Sequence, residues 1–503
     1  VPSPVFGDEM NIKNSKIYES TLHEIWKNQN YKNPLKTLNG ENITILDTGS
    51  HNTETAGPDF RNARIRIGNL TYIGDIEIDN DYSDWKAHGH NIDTKYEKVI
   101  LHVALFNKNK YSYVYSRDGR KIQSICFSEF ADSNTLEKVS KNLEEDKVDT
   151  PSNIKCSPCN NNVSDEMKEK FLSHLGVVRF EKKCKKIFNR LKELQFLKEL
   201  KIKEPIVTYD LSSQFHEKKF KHSDFVSKEI WQQLLYELIF EALGYSKNKT
   251  QMMNLAQFAS TTFLNKIEKD GVLVEKYEAA LLNISGLAQD KNGVSEELTK
   301  QYLERISLHW NSIRSFYDGK FMDETQWHFF RLRPQNFPTI RIAGGARILK
   351  ELLHNDLIAI ISKKISEIHN LTVLINSLRS IFVIKSDAFW KNHYVFDQTA
   401  NNEIKYFVGA SRSDEIVVNV ILPYFAVYFD VFGNPNLSKK ILKLYSIYQQ
   451  RSENQIIIEV SQALNLIEQT KQTVLAQGMI ELFRNYCSKN KCLECEIGKV
   501  VFN

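Results

Sequence analysis

From residue 63 to residue 78 apolar and polar positions alternate. Ala63, Ile65 and Ile67 are set against Arg64 and Arg66, and after a Gly-Asn-Leu turn Tyr72, Gly74, Ile76 and Ile78 are set against Ile73, Asp75 and Glu77. Period two on both sides of a short turn predicts a β-hairpin. Its second strand carries Asp75, Glu77 and Asp79 on one face. Residues 42–46 (NITIL) predict a further strand, 99–106 (VILHVALF) a buried one carrying His102, and SYVYS and KIQSICF two more. Ahead of the sheet, Ile17, Leu22, Ile25 and Trp26 recur at helical spacing, which predicts a first helix over 16–27. Residues 81–90 read as a loop or short helix.

After Asp132 the period changes. Residues 133–162 are charged and then polar, with Pro151 and Pro158, and from Ser164 onward nearly every segment has helical spacing: 165–197, 227–243, 249–269, 275–289, 296–316 and 346–357, then on to 484. The expectation is an α+β protein: a small α/β module over 1–132, a linker with a CxxC pair over 133–163, a mostly α-helical module over 164–480 and a cysteine motif over 481–503. The longest apolar run, 416–432, is interrupted by Asn419, Pro423 and Asp430, too polar to span a bilayer, and reads as a buried helix pair.

Composition changes this picture little. In 503 residues, 42% hydrophobic and 26% charged, there is core enough for more than one folded unit without disulfides. Lys and Arg (67) nearly balance Asp and Glu (62), so any polyanionic partner must be met by local charge. Seven cysteines, three of them crowded at the C-terminus, suit free thiols or a metal better than a secreted disulfide framework. The opening VPSPVFGDEMNIKN lacks the basic-then-apolar order of a secretory leader. A cytoplasmic protein with no membrane partner is expected.

Three constellations carry chemistry. Around the hairpin, Asp59 and Glu77 offer hard oxygen ligands for Mg²⁺ or Mn²⁺, and His88, His90 and His102 add imidazoles for ligation or proton transfer. Near the end, Cys487, Cys492 and Cys495 form C-x4-C-x2-C; with Cys156, Cys159 or both they make a donor set for zinc or a [4Fe-4S] cluster. In WHFFRLRPQNFPTIRI (327–342), Arg331, Arg333, Asn336 and Arg341 stand among aromatics, the chemistry of phosphate binding and base stacking. The plainer reading of that stretch is core aromatics with paired arginines. Lys182, Lys183, Lys185, Lys186, Arg190 and Lys192 form a separate basic face that reads as solvated.

Glu19, Asp59 and the triplet Glu77-Ile78-Asp79 resemble, in order, the PD-(D/E)xK nucleases, which build a restriction-endonuclease-like α/β core. The third triplet position is Asp79 rather than lysine, so the group that normally assists the nucleophile is absent there; Lys86, Lys98 and His88 follow as candidate replacements. Over essentially the whole chain, GPDF, GDIEI, DW-x2-HGH-x2-D-x2-Y-x2-VILHV, RLRPQNFPTIRIA and YC-x4-C-x2-C-x-IG resemble the uncharacterised bacterial family named domain of unknown function 2851. That resemblance implies E-x-H where this chain has Glu77-Ile78-Asp79, and one upstream cysteine, Cys156, joining the terminal three. The expected function is a divalent-metal-dependent nuclease-like protein acting on DNA or RNA phosphodiesters, with Asp59, Glu77, His88 and His90 at its centre. The alternative is a non-catalytic nucleic-acid-binding or scaffold protein with a degenerate nuclease core.

Overall fold

The computed structural model describes residues 19–502 apart from 33, 53–56, 92, 108–109, 131–153, 202–214, 216, 290–292, 330–331 and 451–453. The chain divides into two units, Val1–Thr150 and Pro151–Asn503.

The first unit is a mixed sheet with a helix, α1 (Glu19–Lys27), on one face. Its strands are β1 (Leu35–Lys36), β2 (Asn42–Asp47), β3 (Ser50–His51), β4 (Phe60–Ile67), β5 (Leu70–Asp81), β6 (Val99–Phe106), β7 (Tyr113–Tyr115) and β8 (Lys121–Cys126), in the order β1-β2-β4-β5-β6-β8-β7, with β3 also on β4. The expected hairpin is β4–β5. β5 runs on beyond it to pair in parallel with β6, and β6 in parallel with β8. A parallel partner needs a crossover, and α2 (Asp84–Ala87) with the turn Thr94–Tyr96 supplies a short one.

Alternation along β5 sorts its two faces. Ile76 and Ile78 join Leu22, Ile25 and Trp26 of α1, together with Phe60, Leu101 and Val103, in one core. Glu77 and Asp79 point the other way, towards the face that carries Trp85, Tyr96 and Val99. Two backbone devices hold this register. Asn62 takes a left-handed φ of 55° at a bulge in β4, its N–H bonded to Asp75 Oδ1 at 3.0 Å. Gly74 sits where β5 leaves β4 for β6: a Cβ there would stand 2.5 Å from both Ile100 Cγ2 and Lys98 O.

The second unit is largely helical, with one main core running from Ile154 to Ile497. The 36-residue helix Asp165–Leu200 begins at Ser164, whose side chain caps Met167 N–H, and packs along Thr473–Asn485. The apolar run at 416–432 is one continuous rod rather than a helix pair. Ala410–Ile416 passes through a π turn, Val417–Ile421, into Leu422–Val431. Pro423 lacks an N–H and would crowd the carbonyl four residues back in a regular helix, and a π turn in the preceding residues loosens that clash. On the basic face of Asp165–Leu200, Lys182 pairs with Glu481, Lys186 with Glu241 and Arg190 with Glu237. No helix among the described residues is long and apolar enough to cross a membrane.

Candidate metal centre

The acidic face of β5 becomes a site because three imidazoles are brought to it from later in the chain. Parallel pairing sets Glu77 beside His102 of β6, and the crossover returns His88 and His90 over the strand. Asp79, 0% exposed, is the hub: its Oδ2 lies 3.1 Å from His102 Nε2 and 3.9 Å from His90 Nδ1, and its Oδ1 lies 3.3 Å from His88 Nδ1. His102 Nδ1 is 2.9 Å from Ser124 Oγ. With the carboxylate accepting at Nε2, the serine hydroxyl donates to Nδ1, and the ring is fixed at both nitrogens.

His90 Nδ1 also lies 3.3 Å from Glu77 Oε1, so that nitrogen faces both carboxylates. One donor atom each from Glu77, Asp79 and His90 falls within 4.8 Å of the others, and all three residues are buried. His90 stacks on Tyr96 with ring centroids 4.1 Å apart and meets the edge of Trp85. Tyr96 is 2% exposed, and its hydroxyl, without a hydrogen-bond partner among the described residues, is raised in pKa first by burial and then by Glu77 and Asp59. A buried, unbonded hydroxyl next to carboxylates marks a place that a ligand's oxygen or water can complete. His88 is the exposed member and opens the group to solvent.

Asp59 stands at the rim. Its N–H donates to Glu77 Oε2 (3.1 Å), its Oδ2 accepts from Ile78 N–H (3.0 Å), and the same oxygen lies 3.3 Å from His23 Nε2 on α1. Asp59 thus ties the start of β4 to β5 and carries His23, while the compact donor set is Glu77, Asp79 and His90. In the sequence Asp79 marks the departure from a lysine motif; in the structure it is the residue that most imidazoles approach. His23, Tyr96 and Ser124 belong to this neighbourhood, although no motif in the sequence marks them as site residues. For His23 the signal is a histidine on the apolar stripe of the first helix. Glu19 begins that helix, its side chain lying outside the described residues. Lys86 and Lys98 are exposed.

Burial drives the His90 imidazole down to about 4, against the attraction of Asp79. At neutral pH the ring is therefore uncharged, the form that ligates metal. The same shift links stability to pH. An unfolded histidine takes its proton near 6.5, the folded one only near 4, so this contribution is complete above about pH 6.5 and is lost on acidification towards pH 4, by up to about 3 kcal/mol. Urea midpoints measured between pH 7 and pH 4.5 are expected to fall, and to fall less in His90→Gln; equal slopes would contradict the shift.

The other constellations lie in the second unit. Arg331 is outside the described residues, and Arg333 is exposed just before the turn Pro334–Asn336. Arg341 points inward. It is 4% exposed in the helix Pro338–Leu353, and its guanidinium donates to Phe407 O, to Tyr245 Oη at 2.7 Å and to Asn336 Oδ1 at 2.8 Å. Burial pulls it down to about 10. Arg341 and Asn336, expected to face a phosphate, thus spend their bonds on each other and on the helix's neighbours. Arg341→Ala is expected to cost about 3 kcal/mol, because it strands a buried carbonyl and a hydroxyl at once; a denaturant midpoint within error of the wild type would refute this.

Cys156, Cys487, Cys492 and Cys495 are free thiols, as are Cys126, Cys159 and Cys184. Tetrahedral zinc would draw its sulfurs to about 3.8 Å from one another. Among the described residues, no three of these sulfurs lie within 4.8 Å of each other, so a closed zinc tetrahedron is not formed.

Fold and donor set together define a two-unit α+β protein with a buried carboxylate–imidazole group fit to hold a metal ion. The chain belongs to the family described as "Protein of unknown function (DUF2851)", whose profile matches residues 19–202 and 200–455. No curated protein and no solved structure matches it.

Proposed function

We propose that the N-terminal unit is a divalent-metal-dependent phosphodiesterase, with nucleic acid as the substrate class. The observation that carries this reading is the convergence of Glu77, Asp79 and His90 donors within 4.8 Å beneath the exposed His88. Two carboxylates match the charge of a divalent ion, and one imidazole beside them suits Mn²⁺ while still admitting Mg²⁺. A bound ion of this kind polarises a phosphoryl oxygen and lowers the pKa of a water molecule.

The chain's own residues divide the remaining work. Glu77, Asp79 and His90 bind the ion. His102, held between Asp79 and Ser124, fixes the Asp79 carboxylate. Asp59, fixed by the Ile78 N–H, holds His23 at the rim. His88 is the imidazole that solvent reaches, and it is placed to take or give a proton next to Asp79. Lys86 and Lys98, exposed on the crossover that carries His88 and His90, give a phosphate backbone a positive approach. A restriction-endonuclease-like origin of the unit fits the order of Asp59 and Glu77 in the hairpin and is part of this proposal.

The test is cleavage of labelled single- and double-stranded DNA and RNA by the full chain with Mn²⁺ or Mg²⁺, beside Glu77→Gln. Cleavage by the wild type and none by the variant supports the reading. Equal cleavage by both overturns it, and tight Mn²⁺ binding with no cleavage of any of the four substrates selects the non-catalytic alternative.

A further inference from the structure

Cys156 and the Cys487, Cys492, Cys495 triplet come from opposite ends of the C-terminal unit, and the fold carries them to one place. The turn Ser157–Asn162, which follows Cys156, packs against the last helix, Glu496–Phe502, which follows Cys495. Cys156 and Cys495 are 8% and 5% exposed within one apolar cluster, and Cys487 packs against it. Cys159 faces solvent instead.

The backbone around the triplet is shaped to present sulfur. Cys487 and Cys492 each open a 3-10 turn, Cys487–Lys489 and Cys492–Glu494, with Asn490 between them at a left-handed φ of 55°. The Cys495 N–H closes the second turn on Cys492 O at 3.1 Å. Gly498 presses onto that turn so closely that a Cβ would stand 2.1 Å from Cys492 O. Only a glycine lets the last helix start there, and with it the N–H groups of Ile497 and Gly498 are directed at the Cys495 sulfur. Such backbone donors recur around metal-bound sulfur. The sulfurs also sense one another. Cys487 interacts electrostatically with Cys156, Cys495 and Cys492, and Cys156 with Cys495 and Cys492. Two buried and two half-buried cysteines gathered in one neighbourhood are a sound donor set for a cation.

We propose that Cys156, Cys487, Cys492 and Cys495 hold a [4Fe-4S] cluster that clasps the start of the C-terminal unit to its last helix. Spacing selects the cluster over a single zinc ion. The sulfurs share a neighbourhood yet stand wider apart than zinc permits, and a four-iron cluster gives each thiolate its own iron and so holds them wider. Position selects Cys156 over Cys159, since one sulfur is buried beside the triplet and the other is in water.

The full chain, purified without oxygen or reconstituted with ferrous iron and sulfide, is expected to contain iron and acid-labile sulfide at about four each per chain. It should show broad visible absorption that bleaches on reduction. Cys492→Ser, at a half-exposed position that asks little of the fold, should bring iron down to background, while Cys159→Ser keeps the wild-type content. Zinc without sulfide, no metal after reconstitution, or equal iron in the two variants overturns the proposal. The measurement reads metal in the C-terminal unit alone, so its failure leaves the reading of the N-terminal unit standing.

Discussion

Asp79→Asn is expected to weaken Mn²⁺ binding by the full chain about a hundredfold or more, with titration calorimetry or the Mn²⁺ resonance signal as the measurement. The side chain keeps its size and its ability to accept, so the change is almost purely one of charge. Glu77 and Asp79 together match a divalent ion, and with one carboxylate gone the buried group, 0% exposed at this position, has to hold an uncompensated positive charge away from water. The same His90 Nδ1 faces Glu77 Oε1 and Asp79 Oδ2, so the substitution also removes one of the two carboxylates beside that nitrogen. The loss should appear in affinity more than in fold, because His102 keeps its bond to Ser124 and can still meet the amide oxygen. His88→Gln is the informative companion, since His88 stands at the solvent side of Asp79 and is absent from the compact donor set. It should retain Mn²⁺ binding within about tenfold and lose cleavage. Undiminished Mn²⁺ affinity in Asp79→Asn would remove Asp79 from the centre and return the site to Asp59 and Glu77.

How far this site can be read from the sequence depends on the distance over which its parts are joined. Period two from Ala63 to Ile78 reports a local hairpin, and it places Glu77 and Asp79 on one face correctly because a strand's alternation needs no partner. What alternation does not report is the strand that lies alongside. The register that sets Glu77 opposite His102, and the crossover that turns His90 back over Glu77, are long-range choices. Compared position by position with a lysine motif, Asp79 looks like a defect; surrounded by His88, His90 and His102 it is the central acceptor. Direction is the other thing a motif hides. Arg341 and Asn336 have the composition of a phosphate site, yet Pro338 sits in the first turn of a helix, where proline fits, and turns Thr339 to Ile342 into a buried wall. The cysteine spacing is legible in the sequence, while which of the cysteines are buried and which face solvent is a property of the folded unit.

Gly176→Ala and Gly478→Ala are each expected to destabilise the C-terminal unit by about 3 kcal/mol or more, at the upper end of what overpacking costs. The two glycines lie one turn apart along the crossing of Asp165–Leu200 and Thr473–Asn485, each against the backbone of the other helix. A Cβ on Gly176 would stand 2.1 Å from Val474 O, and one on Gly478 would stand 2.0 Å from Leu172 O. Neither obstacle is a side chain that can swing away, so the helices must separate. Alanine's better helix propensity returns only about 1 kcal/mol. Separation also pulls at the polar rungs on either side: Arg179 Nε to Gln477 Oε1 at 2.8 Å, Lys183 Nζ to the same oxygen at 2.9 Å, and Tyr445 Oη to Gly176 O at 3.0 Å. Burial holds the Lys183 amine down to about 7, and a splayed crossing that admits water should let it rise. Because both lesions act at one crossing, the double variant should cost less than the sum of the singles, the first substitution having already opened the space that the second needs. Gly271→Ala, with nothing within 4 Å of its Cβ, serves as the control and should leave the unfolding midpoint in place. If Gly176→Ala unfolds within about 0.5 kcal/mol of that control, the helices are not in backbone contact and the core of the unit is packed otherwise.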